Sequence, residues 1–290
     1  MSREHIIGLS LLMLVAMLWG STFIAVQIAV GSTAPSVLIL GRFLIAALVF
    51  LPWLPRSWAI WWAGIKLGFW LSLAYAAQTI GLQYTSASQS AFITVLNVII
   101  VPLLAVAAGQ RITPPVWLAA VMAIVGVGLM TNGLAGLNIG DAWTLLCAFG
   151  YAVYVLRLGA YARRFPVLPL TCTQLFGVVL FALVWVGAEQ PAMHDLPWAI
   201  LLYLGLATTA LTTWLQTQGQ RYISATEAAV IYTLEPVWAA IFAVIILAEQ
   251  LDLLSWIGAA VICAATLMSE WPAMRQRQRL RDAAKAAHDA

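Results

Sequence analysis

Ten long apolar runs follow one another along this chain, separated by short connections that carry Gly and Pro residues. A helix that rises 1.5 Å per residue needs roughly 20 apolar residues to cross the roughly 30 Å hydrocarbon layer of a bilayer. Because the runs lack the alternation of apolar and polar residues that is typical of strands, each is predicted to be a transmembrane helix. The predicted spans are 6–29, 35–54, 63–83, 87–108, 115–131, 141–161, 168–187, 197–219, 225–248 and 253–271.

The composition leaves no room for a sizeable soluble domain. Of the 290 residues, 63% are hydrophobic and 9% are charged, whereas soluble domains carry about 25% charged residues. The cysteines lie in apolar runs at no metal-ligand spacing, which favours packing over redox or zinc chemistry. We therefore expect no metal and no cofactor. The expected partners are a small-molecule substrate and the lipid bilayer, with no nucleic acid, and the chain is expected to be a monomer, with a dimer as the alternative.

The positions of Lys and Arg predict the orientation of the chain. Basic residues near the ends of spans are retained on the cytoplasmic side. If the N-terminus lies in the cytoplasm, all of the 14 Lys and Arg residues except Arg42 and Arg157 fall in cytoplasmic connections, at cytoplasmic span ends or in the basic tail, 273–290. Arg157 and Glu227 lie near cytoplasmic span ends and can extend to the headgroups. An even number of spans places both termini in the cytoplasm.

The chain also contains an internal repeat. Residues 81–87 recur as 219–225 at an offset of 138, and the first two spans of each half align at an offset of 132. Matches among apolar residues arise easily by chance, so the aligned polar and aromatic positions carry the argument. The aligned pairs include Trp19 with Tyr151, Arg42 with Gln174, Gln78 with Gln216, Leu96 with Leu234, and Asn97 with Glu235.

Five spans in each repeat is an odd number, so the second repeat must enter the membrane from the opposite side. The sequence thus predicts an all-α polytopic membrane protein with ten transmembrane helices in two inverted five-helix repeats, 1–136 and 137–272. A pseudo-two-fold axis in the membrane plane relates such halves, and rocking them exposes a central site to either side. This architecture favours a transporter over a receptor or an enzyme.

Polar and aromatic residues at the middle of the spans form the predicted substrate site. Buried amides in a membrane either bond across helices or line a wet cavity. Aromatic side chains at similar depth either form the apolar walls of a pocket or only pack. The candidate substrate-binding residues are Trp19, Tyr75, Gln78, Asn97, Tyr151, Tyr154, Trp214, Gln216 and Tyr232.

Ionisable groups within the hydrocarbon layer cost at least about 2.5 to 3.5 kcal/mol on insertion scales, so each needs a role. Arg42 either binds a substrate carboxylate through two hydrogen bonds or holds the fold together. Glu235 precedes Pro236, whose ring predicts a kink at the middle of the ninth span. Its carboxyl group either carries a coupling proton or only joins helices. The candidate coupling or gating residues are Arg42, Glu235, Pro102 and Pro236.

Several motifs in consistent order resemble those of EamA-type members of the drug/metabolite transporter superfamily. They are residues 19–23 (Trp-Gly-Ser-Thr-Phe), Arg42-Phe43, residues 81–87 (Gly-Leu-Gln-Tyr-Thr-Ser-Ala), residues 234–236 (Leu-Glu-Pro) and residues 247–251 (Leu-Ala-Glu-Gln-Leu). Within the family, the chain most resembles bacterial exporters of aromatic and other neutral amino acids. Gln110 stands where many relatives carry Glu, so an acidic role at that turn is in doubt, whereas Glu249 keeps it in the second repeat.

The resemblance implies two five-helix repeats, cytoplasmic termini and export of small metabolites from a bacterial inner (plasma) membrane. We therefore expect a secondary transporter that exports small neutral or zwitterionic metabolites, including aromatic amino acids, by alternating access around a central cavity. A lipid or drug flippase, or a channel-like facilitator, is the alternative. An enzyme is not expected, because His5, His194 and His288 all lie outside the predicted spans, where they cannot form a Ser-His dyad or a metal site at depth.

Overall fold

The computed structural model describes residues 3–85, 87–130, 138–191, 196–247, 253–254, 256–265 and 268. Glu249 and the tail 273–290 lie outside the described residues. The described secondary structure is helical. In chain order the helices are α1 (Arg3–Gly20), α2 (Thr22–Val30), α3 (Pro35–Val49), α4 (Trp58–Gly81), α5 (Ala87–Val95), α6 (Asn97–Ala107), α7 (Pro114–Met130), α8 (Ile139–Arg164), α9 (Val167–Glu189), α10 (Trp198–Gly205), α11 (Thr212–Gly219), α12 (Ala225–Tyr232), α13 (Glu235–Leu247) and α14 (Trp256–Ala265).

Four helical stretches in the described part are long and apolar enough to cross a bilayer. They are Arg3–Val30, Ile139–Arg164, Val167–Glu189 and Trp198–Gly219. The last of these contains a π-helical segment, Leu206–Leu211, between α10 and α11. Each helix listed above overlaps one of the ten ranges predicted from the sequence. The described residues are thus helical and include four stretches that could cross a bilayer, whereas the count of ten crossings stays a prediction.

Two helix interruptions lie at equivalent positions of the two halves. The backbone N–H of Leu96, between α5 and α6, donates to the Ile93 carbonyl at 3.1 Å, and that of Leu234 donates to the Ile231 carbonyl at 3.0 Å. Both bonds span three residues instead of four, so the helix tightens there. The interruption predicted near Pro236 is therefore present, and Pro236 lies in the first turn of α13, where its missing N–H has no intrahelical partner to lose.

Helices of one half pack mainly against helices of the other half. Helix α4 packs on α8 and α9, and α1 together with α3 packs on the stretch from α10 to α13. If each helix is replaced by its counterpart in the other half, each of these contacts corresponds to another observed contact. The contact of α1 with α11 corresponds to that of α8 with α4, and the contact of α3 with α10 corresponds to that of α9 with α4. The contact of α3 with α9 maps onto itself. These exchanges support the predicted pseudo-two-fold axis.

Glycines allow the closest helix crossings. A Cβ atom on Gly68 would lie 2.7 Å from the Gly177 Cα, so α4 and α9 approach within backbone contact. Gly64 lies one turn before Gly68 and meets Thr173 of α9 in the same way. Two further crossings lie near opposite ends of the bundle: a Cβ on Gly81 would meet the Gly140 carbonyl oxygen at 2.9 Å, and a Cβ on Gly8 would meet that of Gly219 at 3.2 Å.

Candidate functional site

A small cavity lies where the two halves meet. The first half contributes α1, α2, α4 and α5, and the second half contributes α8 and α13. The space at its centre is about 30 Å³, which is enough for about two water molecules. The side chains that line it are Trp19, Thr22, Ala74, Tyr75, Gln78, Thr94, Cys147, Tyr151 and Glu235.

Aromatic rings form the apolar walls of this cavity. The ring of Trp19 meets that of Tyr151 edge-on, with centroids 5.6 Å apart, and lies 5.3 Å from that of Tyr232. On the opposite wall, Tyr75 packs edge-on against Phe43 at 5.1 Å. Edge-to-face contacts of this kind fix ring positions and add about 0.5 to 1.5 kcal/mol each beyond the buried area. The walls are thus preorganised before any ligand enters.

Gln78, Thr94 and Glu235 are among the polar residues that line the space between the rings. The Gln78 Nε2 atom reaches the Thr94 Oγ1 atom at 3.5 Å, which is a weak hydrogen bond. Glu235 begins α13 directly after the interruption at Leu234, so its carboxyl group stands at a half-helix N-terminus inside the bundle. Discontinuous helices of this kind supply substrate and ion sites in many transporters with inverted repeats.

A second polar group of residues lies beside the cavity and fills the space there. We call Tyr151, Tyr154, Gln174 and Gln216 the tyrosine–glutamine cluster. The Tyr154 hydroxyl lies 2.9 Å from the Gln174 Oε1 atom and 3.3 Å from that of Gln216, and the Gln216 Nε2 atom donates to the Tyr151 hydroxyl at 2.7 Å. All four side chains are buried. Because each amide and hydroxyl has a partner, the cluster is stable without water.

Arg42 lies behind the cavity wall and is fully buried. Its Nε atom donates to the Thr209 Oγ1 atom at 2.9 Å, and its Nη2 atom lies 3.4 Å from the Thr208 Oγ1 atom. Both threonines belong to the π-helical segment. The guanidinium Cζ atom lies 4.8 Å from the Tyr75 ring centroid, and no carboxylate of the described residues lies within ion-pair distance. This geometry favours the interpretation that Arg42 holds the fold and supports the Tyr75 wall.

The structure brings together part of the predicted site. Trp19, Tyr75, Gln78, Tyr151 and Glu235 line the cavity, whereas the other candidates lie outside it. Tyr154 and Gln216 belong to the tyrosine–glutamine cluster, and Tyr232 packs behind Trp19. Asn97 begins α6, and Trp214 is half-buried against the core. Pro102 is buried inside α6, as Pro236 is at the start of α13.

Four lining residues were not predicted from the sequence, although their spacing carried a signal. Thr22 lies three residues after Trp19, and Cys147 lies four residues before Tyr151, which places each pair on one helix face. Ala74 stands four residues before Gln78 in the same way. Thr94 aligns with the candidate Tyr232 at the repeat offset of 138. None of these residue types suggests a binding site by itself.

Comparison with known proteins identifies relatives of the whole chain. The model of the EamA-like transporter family matches twice, over residues 6–132 and 138–271. An uncharacterized transporter of Archaeoglobus fulgidus is 33% identical over 260 residues, covering 89% of this chain and 83% of the relative. A second uncharacterized transporter of that organism is 25% identical over 290 residues, covering 92% of this chain and 97% of the relative.

A solved crystal structure shares the fold. It superimposes with a TM-score of 0.77 at 18% identity, covering 95% of this chain and 99% of the other. The fold is therefore one already known from experiment. Together with the two family matches across both halves, these similarities establish that the chain belongs to the EamA-like transporter family.

Proposed function

We propose that this membrane transporter exports small neutral or zwitterionic metabolites, aromatic amino acids among them, through the cavity between its halves. The observation that carries the proposal is the lining of that cavity: rings of Trp19, Tyr75 and Tyr151 around one amide and one carboxyl group. An apolar side chain fits between the rings, and the polar groups of an amino acid find partners at Gln78 and Glu235. The proposed cellular location of the transporter is the plasma membrane.

Alternating access is the proposed mechanism. The contacts between halves exchange with one another, and the family model matches each half separately, which supports two inverted repeats across one axis. The cavity at its present size has no room for an amino acid. Substrate binding therefore requires the halves to separate, and the Gly81–Gly140 and Gly8–Gly219 crossings near its two ends are where separation begins.

The alternative functions have weaker support. A channel-like facilitator needs a continuous open path, whereas the central cavity has a volume of about 30 Å³. A lipid flippase needs a polar side entrance for a headgroup. A separate hollow of about 190 Å³ between α3, α4 and α9 is lined almost entirely by apolar side chains, including Phe69, Phe181 and Trp185. Such a surface suits lipid tails better than a polar headgroup.

Flux measurements on the purified protein in liposomes test the proposal. Vesicles are loaded with a panel of radiolabelled amino acids, nucleosides and cationic drugs, and efflux is followed with and without an imposed pH gradient. We expect saturable, stereoselective efflux of neutral amino acids, fastest for aromatic ones. Flux equal to that of protein-free vesicles for every amino acid would refute the substrate class. Non-saturable flux without stereoselectivity would favour a facilitator.

A further inference from the structure

The repeat offsets align two half-sites of the chain, and the cavity between the halves lies at one of them. The repeat offsets align Thr22, which lines the cavity, with Tyr154. They likewise align Thr94, another lining residue, with Tyr232. Small hydroxyl side chains leave space in one half-site, and tyrosine rings at the equivalent positions occupy it in the other. Gln78 of the hollow half-site aligns with Gln216 of the filled one.

The filled half-site is closed by hydrogen bonds between its own side chains. Tyr154 shares its hydroxyl between two amides, and Gln216 bonds to Tyr151. The Gln174 Nε2 atom in turn donates to the Thr217 Oγ1 atom at 2.9 Å. Every one of these groups is a hydrogen-bond donor or acceptor that also suits an amide, an ammonium or a carboxylate. Tyr151 belongs to both half-sites, because it lines the cavity as well.

The half-sites lie toward opposite membrane faces in the orientation predicted from the basic residues. Gln78 lies one turn before the outer end of α4, and Gln216 lies one turn before the cytoplasmic end of α11. The cavity is thus displaced toward the outer face and the tyrosine–glutamine cluster toward the cytoplasm. An inverted repeat exchanges the two when the protein opens to the other side.

We propose that the tyrosine–glutamine cluster is the inward-facing half of the substrate site, closed on itself in the present conformation. When the protein opens to the cytoplasm, Tyr154, Gln174 and Gln216 release one another and bind the polar groups of the amino acid. Substrate that reaches Tyr151 then moves from one half-site to the other. This inference rests on the proposed function, since it assigns where that substrate enters.

Two aligned positions, Cys147 and Val15, make the inference testable, because a single cysteine can be placed at either one. Cys147 lines the outer cavity and aligns with Val15 on α1 at the offset of 132. Val15 is buried, and it lies at the same depth in the bundle as Gln216. Before Val15 on α1, Leu12 packs against Gly219 of α11, and after it the Trp19 Nε1 atom donates to the Thr212 Oγ1 atom at the start of α11. Val15→Cys combined with Cys147→Val therefore moves the single reporter thiol from one half-site to the other, in a protein with Cys172→Ser and Cys263→Ser.

The experiment measures labelling by a small, membrane-impermeant thiosulfonate applied to either face of reconstituted vesicles. We expect Cys147 to be labelled from the outer face and Val15→Cys from the cytoplasmic face. Adding Tyr154→Phe, which removes the shared hydroxyl but keeps the ring, is expected to raise the labelling rate of Val15→Cys about tenfold. Tyr161→Phe on the same helix, a partly buried ring packed against Phe165, is the matched control and should change nothing.

Protection completes the test. A saturating amino acid that the parent protein transports should slow the labelling of Val15→Cys in the Tyr154→Phe background. Equal labelling with and without Tyr154→Phe would overturn the role of the cluster as a barrier, and labelling that no transported amino acid slows would overturn its role in binding. Flux of the parent protein is measured in the same vesicles, so a transporter without amino-acid flux is recognised separately as a failure of the proposed function.

Discussion

The repeat predicted from the sequence aligns the outer half-site with the tyrosine–glutamine cluster, and the two differ in the side chains that fill them. Thr22 and Thr94 leave a cavity where Tyr154 and Tyr232 close the equivalent space. At these two aligned pairs, a small hydroxyl side chain borders the cavity in one half, and a tyrosine ring stands at the aligned position of the other half. Charge is distributed just as unequally, since Glu235 aligns with the neutral Asn97.

The largest expected effect comes from making the outer half-site resemble the cluster. Thr22→Tyr places a ring in a cavity of about 30 Å³, so substrate cannot bind there. We expect flux to fall by about 100-fold or more, which corresponds to roughly 2.7 kcal/mol or more. Overpacking of this kind also destabilises by about 1 to 3 kcal/mol, so thermal unfolding is measured beside flux.

Thr22→Val is the matched control for that variant, because it keeps the volume of the side chain. It removes only the hydroxyl that donates to the Trp19 carbonyl at 2.8 Å. This bond lies within the helix, so flux should stay close to that of the parent protein. If Thr22→Tyr folds and transports normally, the cavity does not lie on the substrate path and the comparison of half-sites loses its functional meaning.

The second prediction concerns the unequal charge. Glu235→Gln keeps the shape of the side chain but cannot exchange a proton with either face. We expect the stimulation of flux by an imposed pH gradient to be lost, a change of about tenfold at most, with passive exchange of substrate retained. Asn97→Ala, at the aligned position, is the control and should leave the response to pH intact. A full response in Glu235→Gln would exclude this carboxyl group as the proton carrier.

The sequence predicted the helical membrane fold and the family because long apolar runs and ordered motifs are local signals. It also predicted five of the nine cavity-lining residues, since Trp19, Tyr75, Gln78, Tyr151 and Glu235 are conspicuous in an apolar span. The rest could not be predicted from their types. Ala74 and Cys147 line the cavity through helix phase and packing alone. The division between a hollow and a filled half-site depends on three-dimensional contacts that the repeat pattern does not specify.

The third prediction uses the two glycine crossings near opposite ends of the bundle. A Cβ on Gly140 would lie 2.6 Å from the Gly81 carbonyl oxygen, and one on Gly219 would lie 2.6 Å from the Leu12 Cδ2 atom. Gly140→Ala must push α4 from α8 and should open the outer end. We expect it to raise the labelling rate of Cys147 from the outer face about fivefold. Gly219→Ala should leave that rate unchanged, because it disturbs the other end.

One result would contradict the interpretation that the two glycine crossings close opposite ends of the cavity. If Gly219→Ala exposes Cys147 as much as Gly140→Ala does, the crossings are general packing contacts instead of two separate gates. Because the two glycines occupy corresponding crossings in the two halves, each serves as the control for the other. Circular dichroism and thermal unfolding establish that both variants keep the helical fold.

The smallest expected effects distinguish Gln78 from the aligned Gln216 by their contributions to flux and to stability. Gln78 makes one hydrogen bond of 3.5 Å at the cavity wall, so Gln78→Ala should lower flux a few-fold with little change in stability. Gln216 bonds two buried tyrosine hydroxyls, and Gln216→Ala leaves the Tyr151 hydroxyl without this donor, whereas Tyr154 keeps its bond to Gln174. The free energy of unfolding of Gln216→Ala should fall by about 1 to 3 kcal/mol. Thermal unfolding and flux measured on both variants would show whether the two amides differ as the half-sites do; equal losses of stability would mean that Gln78 is as much a part of the packed core as Gln216.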